Sequence, residues 1–129
     1  MTVVDTHAWI WWVSEPARLG RTARRTLDGT KRIGVPAICC LEVAALAARG
    51  RISLDRPPLE WMNAALALPR VELLPLTPAV AVKAAGLPAS FPGDPADRLI
   101  VATALLEAAT LVTKDGRIRR SSTAETVWS

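Results

Sequence analysis

Short apolar runs alternate with helix-length segments along the chain, and this alternation narrows the possible folds more than any other feature. Residues 2–4, 32–35, 71–76 and 110–113 read as short strands, and 126–128 as a last one. The segments between them carry helix stops and starts. Residues 8–13 form a dense apolar helix stopped by Ser14-Glu15-Pro16, and 19–27 a basic helix ended by Asp28-Gly29. Residues 38–48 form a strongly apolar helix closed by Gly50. Pro57-Pro58 opens a helix through about Leu68, stopped by Pro69, and Thr77-Pro78 opens one through about Ala85. Asp94-Pro95 opens the longest, to about Ala109. Strands separated by helices, with few hairpin signals, predict an α/β fold with a mainly parallel central sheet flanked by helices on both faces. In such sheets the working site lies beyond the carboxyl ends of the strands. Chemistry is therefore expected just after Val4 and just after Val112-Thr113, where Asp5 and Asp115 stand.

The 129 residues are the size of one domain, and 1–129 reads as a single one. Half are hydrophobic and 22% are charged, with mean hydropathy +0.24, which rules out a disordered chain. Sixteen Lys and Arg against twelve Asp and Glu leave +4 at pH 7. That balance suits an anionic partner, either nucleic acid or an acidic protein segment. The longest apolar stretch, 99–109, contains Glu107 and is too short to span a membrane. No basic leader precedes Asp5, so the N-terminus does not read as a signal peptide. Cys39 and Cys40 are adjacent and cannot staple a fold, so they read as reduced thiols of a cytosolic protein. With one histidine and no separated cysteines, the usual structural zinc sites are excluded. A Ser-His-Asp or Cys-His enzyme would have to rest on His7.

Four acids are poorly explained as surface residues when taken together. Asp5 ends the first strand, where it can also cap the next helix. Glu42 lies inside Ile38-Cys39-Cys40-Leu41-Glu42-Val43-Ala44-Ala45-Leu46. No orientation of that helix hides those apolar residues and leaves Glu42 freely solvated. A buried carboxylate there needs a cation, a hydrogen-bond network, a raised pKa or a buried arginine. Asp94 and Asp97 share one helix face. Asp94 before Pro95 reads as an N-cap, and Asp97 falls at the third helical position, as in a capping box. The apolar run from Leu99 makes this helix a buried one, so its first turn opens into an interior cleft. Asp115 stands in a turn before Gly116, which alone would be unremarkable. Carboxylates meeting within ~4–5 Å would repel by roughly 3–4 kcal/mol per pair at an effective dielectric of 20. Such a cluster needs protons or cations. Oxygen donors without His or Cys select hard ions, Mg²⁺ or Mn²⁺, which act readily on phosphodiesters.

These residues resemble the PIN domain, a fold of many metal-dependent ribonucleases, and most closely the VapC-like toxins of type II toxin–antitoxin pairs. The stretch from Val3 through Asp5 to Trp12 is similar to the family's opening strand and first acid. Residues 38–43 resemble the helix bearing the second acid, and Leu111-Val112-Thr113-Lys114-Asp115 the closing strand with the last. Asp94-Pro95-Ala96-Asp97-Arg98-Leu99-Ile100-Val101-Ala102-Thr103-Ala104 is the most specific match. The resemblance implies a three-layer α/β/α PIN fold and a Mg²⁺-dependent endoribonuclease, with Mn²⁺ as a substitute ion. Water activated by the metal would attack an RNA phosphodiester, leaving 5′-phosphate and 3′-hydroxyl ends. By this resemblance Asp5, Glu42, Asp97 and Asp115 form the catalytic and metal-binding set, with Asp5 and Asp97 as the first choice of direct ligands. Asp94 is peripheral, and Thr113 and Thr6 hydrogen-bond the ligating carboxylates. It also implies a cytoplasmic homodimer and a cognate antitoxin that plugs the cleft.

Arg117, Arg119 and Arg120 follow the last acid and are expected to contact RNA or antitoxin, and Arg98 either does the same or pairs with an acid. Arg18, Arg21, Arg24, Arg25, Lys31 and Arg32 form a second basic segment, equally readable as a solvated face. Trp11 and Trp12 cannot both face one core, so a partner surface is expected there, with base stacking as the lesser reading. His7 reads as structural or substrate-positioning rather than as a ligand. Two rivals remain. One is a catalytically silent PIN-like domain that binds RNA or protein and keeps its acids as caps. The other is a phosphomonoesterase or phosphoacceptor, disfavoured because Thr6-His7 follow Asp5 where a second acid would stand.

Overall fold

The computed structural model describes residues 1–121 and 123–129. Five parallel strands form one sheet: β1 (Thr2–Val4), β2 (Ile33–Pro36), β3 (Val71–Leu74), β4 (Thr110–Val112) and β5 (Thr126–Val127). Their order is β3-β2-β1-β4-β5. The chain therefore builds outward from β1 through β2 to β3, then returns to lay β4 on the other side of β1. The direction of winding reverses between β1 and β4, and a crevice opens at the carboxyl ends where this happens. The helices are α1 (Thr6–Ser14), α2 (Arg21–Gly29), α3 (Ile38–Ala48), α4 (Pro58–Leu66), α5 (Pro78–Ala85), α6 (Pro95–Leu106) and α7 (Gly116–Ser121). They flank the sheet to give the three-layer α/β/α arrangement expected from the alternating pattern.

Local chemistry explains most boundaries. Thr77 caps α5 through its side chain, and Asp94 caps α6 by accepting from the N–H groups of Ala96 at 2.8 Å and Asp97 at 3.4 Å. Pro78 and Pro95 then occupy first-turn positions, where no N–H is missed. β1 is buried along its whole length, as a strand covered on both faces must be. A Cβ on Gly34 would stand 2.5 Å from Leu74 Cδ1, so this glycine leaves the space on the sheet face that the Leu74 side chain fills. The core joins Trp9, Leu27, Ile33, Ile100, Leu111 and Ile118, with Trp9 edge-on to Trp61 at 5.0 Å.

Some elements differ from the sequence reading. α1 begins two residues earlier because Asp5 caps it, accepting from the N–H of Ala8 at 2.9 Å. The longest helix, α6, stops at Leu106 because Ala108 turns left-handed, φ 50°, and the N–H of Ala109 closes back on Ala104 at 2.9 Å. The third strand ends at Leu74, two residues short of the expected boundary. Helix α7, read as a turn followed by an arginine cluster, is a capped helical turn that buries Ile118. A 3-10 turn at Pro16–Arg18 was likewise not foreseen. Among the described residues no helix is long and apolar enough to cross a membrane.

Candidate active site

The two strand-to-helix junctions beside the crevice hold the first two acids. Val4 and Val112 are partners across the sheet, and the Asp5 N–H continues the ladder by donating to Val112 O at 3.1 Å. Beyond that point both chains leave the sheet. Asp5 Oδ1 accepts from Ala8, while Asp5 Oδ2 accepts from the hydroxyl of Thr113 at 2.5 Å. The same Thr113 Oγ1, fully buried, accepts the N–H of Asp115 at 3.0 Å. One hydroxyl thus ties the two junctions together. Asp115 Oδ1 accepts from the N–H groups of Arg117 at 2.8 Å and Ile118 at 3.2 Å, which starts α7.

The other two acids come from helices. Glu42 lies in the second turn of α3 and accepts from the hydroxyl of buried Thr6. It is half-buried without an arginine partner among the described residues. The expectation that α3 must hide its whole apolar run is corrected: Leu41 is 65% exposed, so the helix turns Leu41 outward and Glu42 toward the crevice rim. Asp97 lies in the first turn of α6.

Asp5, Glu42, Asp94, Asp97 and Asp115 line one hollow of about 480 Å³. Two cations face them there, Lys114 and Arg117, together with His7. Arg117 reaches Asp97 Oδ2 at 3.5 Å and Asp115 Oδ2 at 3.4 Å while its own side chain stays 60% exposed. This crowding moves protons. Burial, reinforced by Asp94, Asp115 and Glu42, pushes Asp97 up to about 7 despite Arg117. Burial also raises Asp5 against the opposing pull of the Thr113 and Ala8 hydrogen bonds and His7. Asp115 moves the other way: burial pushes it up, but the N–H of Ile118 and both backbone and guanidinium of Arg117 outweigh that and hold it low.

The donor chemistry suits a hard cation. The hollow offers carboxylate and hydroxyl oxygens, the donors Mg²⁺ and Mn²⁺ prefer, and no thiol lines it. Among the described residues no three Asp, Glu, His or Cys side chains form a ready-made cage. Mg²⁺ does not need one, because it is commonly held by one or two carboxylates and keeps several waters.

The remaining predicted contacts separate. Arg98 does not face the hollow. It ties α6 to the last turn of α5 and the loop between them, donating to the carbonyls of Ala84 at 3.1 Å, Leu87 at 3.4 Å, Pro88 at 3.2 Å and Phe91 at 3.5 Å. Its partners among the described residues are thus carbonyls and not one of the acids. Arg120 joins Arg117 along an adjoining open groove with Ser90 and Pro92, and Arg119 is exposed on α7 outside the hollow. In the earlier basic segment, Arg32 forms a bidentate pair with Glu72 and Arg18 pairs with Glu15 at 3.4 Å. Asp94 both caps α6 and lines the hollow. Lys114 at the rim is not singled out by the sequence, whereas Trp11, expected at a partner surface, stands at the rim beside His7. The four-residue spacing of His7 and Trp11 on one helix face was the available signal.

The chain is 43% identical over 128 residues to Ribonuclease VapC22 of Mycobacterium tuberculosis (strain ATCC 25618 / H37Rv), covering 98% of this chain and 97% of that one. Its fold resembles a chain of the DNA-bound VapBC of Salmonella typhimurium, with TM-score 0.72 at 18% identity and 98% of each chain covered. It also resembles a chain of VapBC2 of Rickettsia felis bound to a promoter DNA fragment, with TM-score 0.71 at 16% identity, covering 99% of this chain and 98% of that one. The PIN domain model matches residues 2–122, and the chain belongs to the PIN domain family.

Proposed function

We propose that residues 1–129 act as one metal-dependent endoribonuclease, the toxin of a toxin–antitoxin pair. The observation that carries this is the convergence of Asp5, Glu42, Asp97 and Asp115, from four separate segments, on one hollow whose two cations are too few to neutralise them. Identity to Ribonuclease VapC22 along almost the whole chain supports RNA as the substrate. Asp5 and Asp97 are the first candidates to hold Mg²⁺ or Mn²⁺, with Glu42 and Asp115 beside them. When bound, such an ion supplies positive charge to phosphate oxygens and lowers the pKa of water.

The chain's own residues prepare the site. Thr113 holds Asp5 in one orientation, and Thr6 does the same for Glu42. Asp97, with a pKa of about 7, carries a proton part of the time at neutral pH, so cation binding competes with that proton. Arg117 and Lys114 offer the phosphate its positive contacts, and the groove continuing past Arg120 gives the RNA backbone a path. The same carboxylate hollow is a fitting target for a basic segment of a cognate antitoxin, and the VapBC complexes among the structural neighbours support such a partner. We place this activity in the cytoplasm, in a homodimer.

Cleavage of single-stranded RNA by the purified protein tests the proposal. Asp5→Asn and Asp97→Asn are each expected to lower the Mg²⁺-dependent rate by more than about 100-fold, because losing a ligand costs more than losing its supporting hydrogen bond. Both variants should still melt cooperatively. Wild-type rates from either, or undiminished cleavage in EDTA, would sink the reading.

A further inference from the structure

Three residues at the rim of the hollow hold no carboxylate in place: His7, Trp11 and Lys114. His7 and Trp11 lie four apart on one face of α1, with ring centroids 5.5 Å apart at 51°. The Trp11 indole is fixed from several sides. The Trp128 ring lies 5.7 Å away, the Arg18 guanidinium stands over the indole at 4.6 Å, and the Lys114 ammonium is 5.6 Å from its centroid. His7 is the exposed aromatic member of this group and makes no side-chain hydrogen bond among the described residues. Core packing accounts for fully buried Trp9 and for the inner side of half-buried Trp11, but not for the exposed His7 ring on the rim of an acidic hollow.

A polyanion meets repulsion from five carboxylates in this hollow. Contacts that do not rely on charge therefore add to what Arg117 and Lys114 supply, and every unpaired base presents a π face that aromatic rings can stack against. Cations beside the ring add attraction for that face and for the flanking phosphates. The ledge is also rigidly placed relative to the acids. His7 follows Asp5 by two residues at the start of α1, and Lys114 immediately precedes Asp115. A nucleotide seated on the ledge would thus have its phosphate set by the same two strand-to-helix junctions that set the carboxylates.

We infer that His7, backed by Trp11 and flanked by Lys114, is a nucleobase-stacking subsite for one unpaired nucleotide next to the scissile phosphate. This rests on the ribonuclease reading. His7 is a positioning residue in this inference: it stacks, and it takes no part in bond breaking. Bases locked in a duplex cannot reach such a ledge, so the substrate at this point is single-stranded RNA.

The test uses a single-stranded RNA of about a dozen nucleotides, within the length such grooves accommodate. Each base is replaced in turn by an abasic ribose, and KM and kcat are measured for wild type, His7→Ala and His7→Phe. In the wild type, one abasic position beside the cut is expected to raise KM by about 5- to 100-fold, the range for loss of one stacked base. His7→Ala should raise KM on intact RNA by a similar factor, with kcat little changed and the melting temperature preserved. The two losses should not add when combined, and His7→Phe should bring KM on intact RNA back toward the wild-type value. Abasic penalties that are the same in wild type and His7→Ala would overturn the ledge and leave the nuclease standing. No metal-dependent cleavage of intact RNA by the wild type would overturn the ribonuclease reading and the ledge with it.

Discussion

β1 and β4 lie side by side, and each passes into a helix through an aspartate, yet the two aspartates bind protons oppositely. Asp5 caps α1 and Asp115 caps α7. Burial pushes both toward the neutral form. At Asp5 burial prevails over one hydroxyl, one backbone N–H and the nearby His7, and its proton affinity rises. At Asp115 two backbone N–H groups and a guanidinium prevail, and its affinity falls. The fold decides where a carboxylate stands, whereas the few donors within reach decide its charge. A doubly wound sheet can therefore set two acids at equivalent places and still give them different tasks. Asp115 is anionic and partnered before anything binds. Asp5 holds its proton more tightly.

The Thr113 side chain joins the carboxyl group of Asp5 to the backbone of Asp115, so Thr113→Val is the sharpest way to break the comparison. The substitution keeps the side chain's shape and removes the hydroxyl that donates to Asp5 and accepts from Asp115. Cleavage is expected to fall about 10- to 100-fold, the usual cost of removing a hydrogen bond that orients a metal-binding group. Stability should fall by roughly 1–3 kcal/mol, because a half-buried carboxylate oxygen and a backbone N–H each lose a partner. Initial rates and urea melts measure both. A wild-type rate in a destabilised variant would show that the link is structural only.

Much of this arrangement was legible in the residues. The positions of Asp5 and Asp115 followed from the alternation of strands and helices together with the rule that such sheets work at their carboxyl ends. Asp94 was recognisable as a cap because proline follows it. Glu42 stood out because it interrupts an apolar run, although the run is not wholly buried and Leu41 faces outward. What stayed hidden depended on three-dimensional proximity. Arg98 beside Asp97 reads as an ion-pair or RNA contact, and only the folded loop presents it with four carbonyls. Helix α7 was missed because Asp115-Gly116 is ordinary turn chemistry, and Ile118, a lone apolar residue among arginines, joins the core only on folding. The opposite proton affinities of Asp5 and Asp115 were equally out of reach, since they arise from neighbours met only on folding.

Asp97 extends the comparison to pH. Its folded-state pKa of about 7 lies above the ordinary 3.8, so the folded protein holds a proton that the unfolded chain has released between those values. Stability is then greatest below about pH 4 as far as this group is concerned and is lost as pH rises through 7. Asp5 acts with the same sign. Asp115 acts with the opposite sign, but its window lies below the ordinary carboxylate range. Between pH 5 and pH 8 the metal-free protein is expected to lose a few degrees of melting temperature. Asp97→Asn should reduce that slope and melt higher than wild type at pH 8. Excess Mg²⁺ should raise the wild type at pH 8 and leave the variant nearly unmoved. A flat wild-type profile would mean that Asp97 is ionised throughout.

Arg117 makes the smallest and most diagnostic change. It is the guanidinium that reaches both Asp97 and Asp115, but at 3.5 and 3.4 Å and with most of its side chain in water. Screening makes such a pair worth little to stability, so Arg117→Gln should melt close to wild type. Its effect should appear in binding, with two opposite signs. Without the guanidinium, Asp115 loses part of what keeps it anionic, but the hollow also loses a cation that competes with a metal ion for two carboxylates. The second effect is direct and should win at pH 8, where Asp115 is ionised in either case, so Mn²⁺ should bind a few-fold tighter by calorimetry. RNA should bind a few-fold weaker, with the salt dependence of KM reduced by about one phosphate contact. Weaker Mn²⁺ binding in the variant would assign Arg117 to holding Asp97 and Asp115 in position, and the low proton affinity of Asp115 would then be part of the metal site's construction rather than a competitor to it.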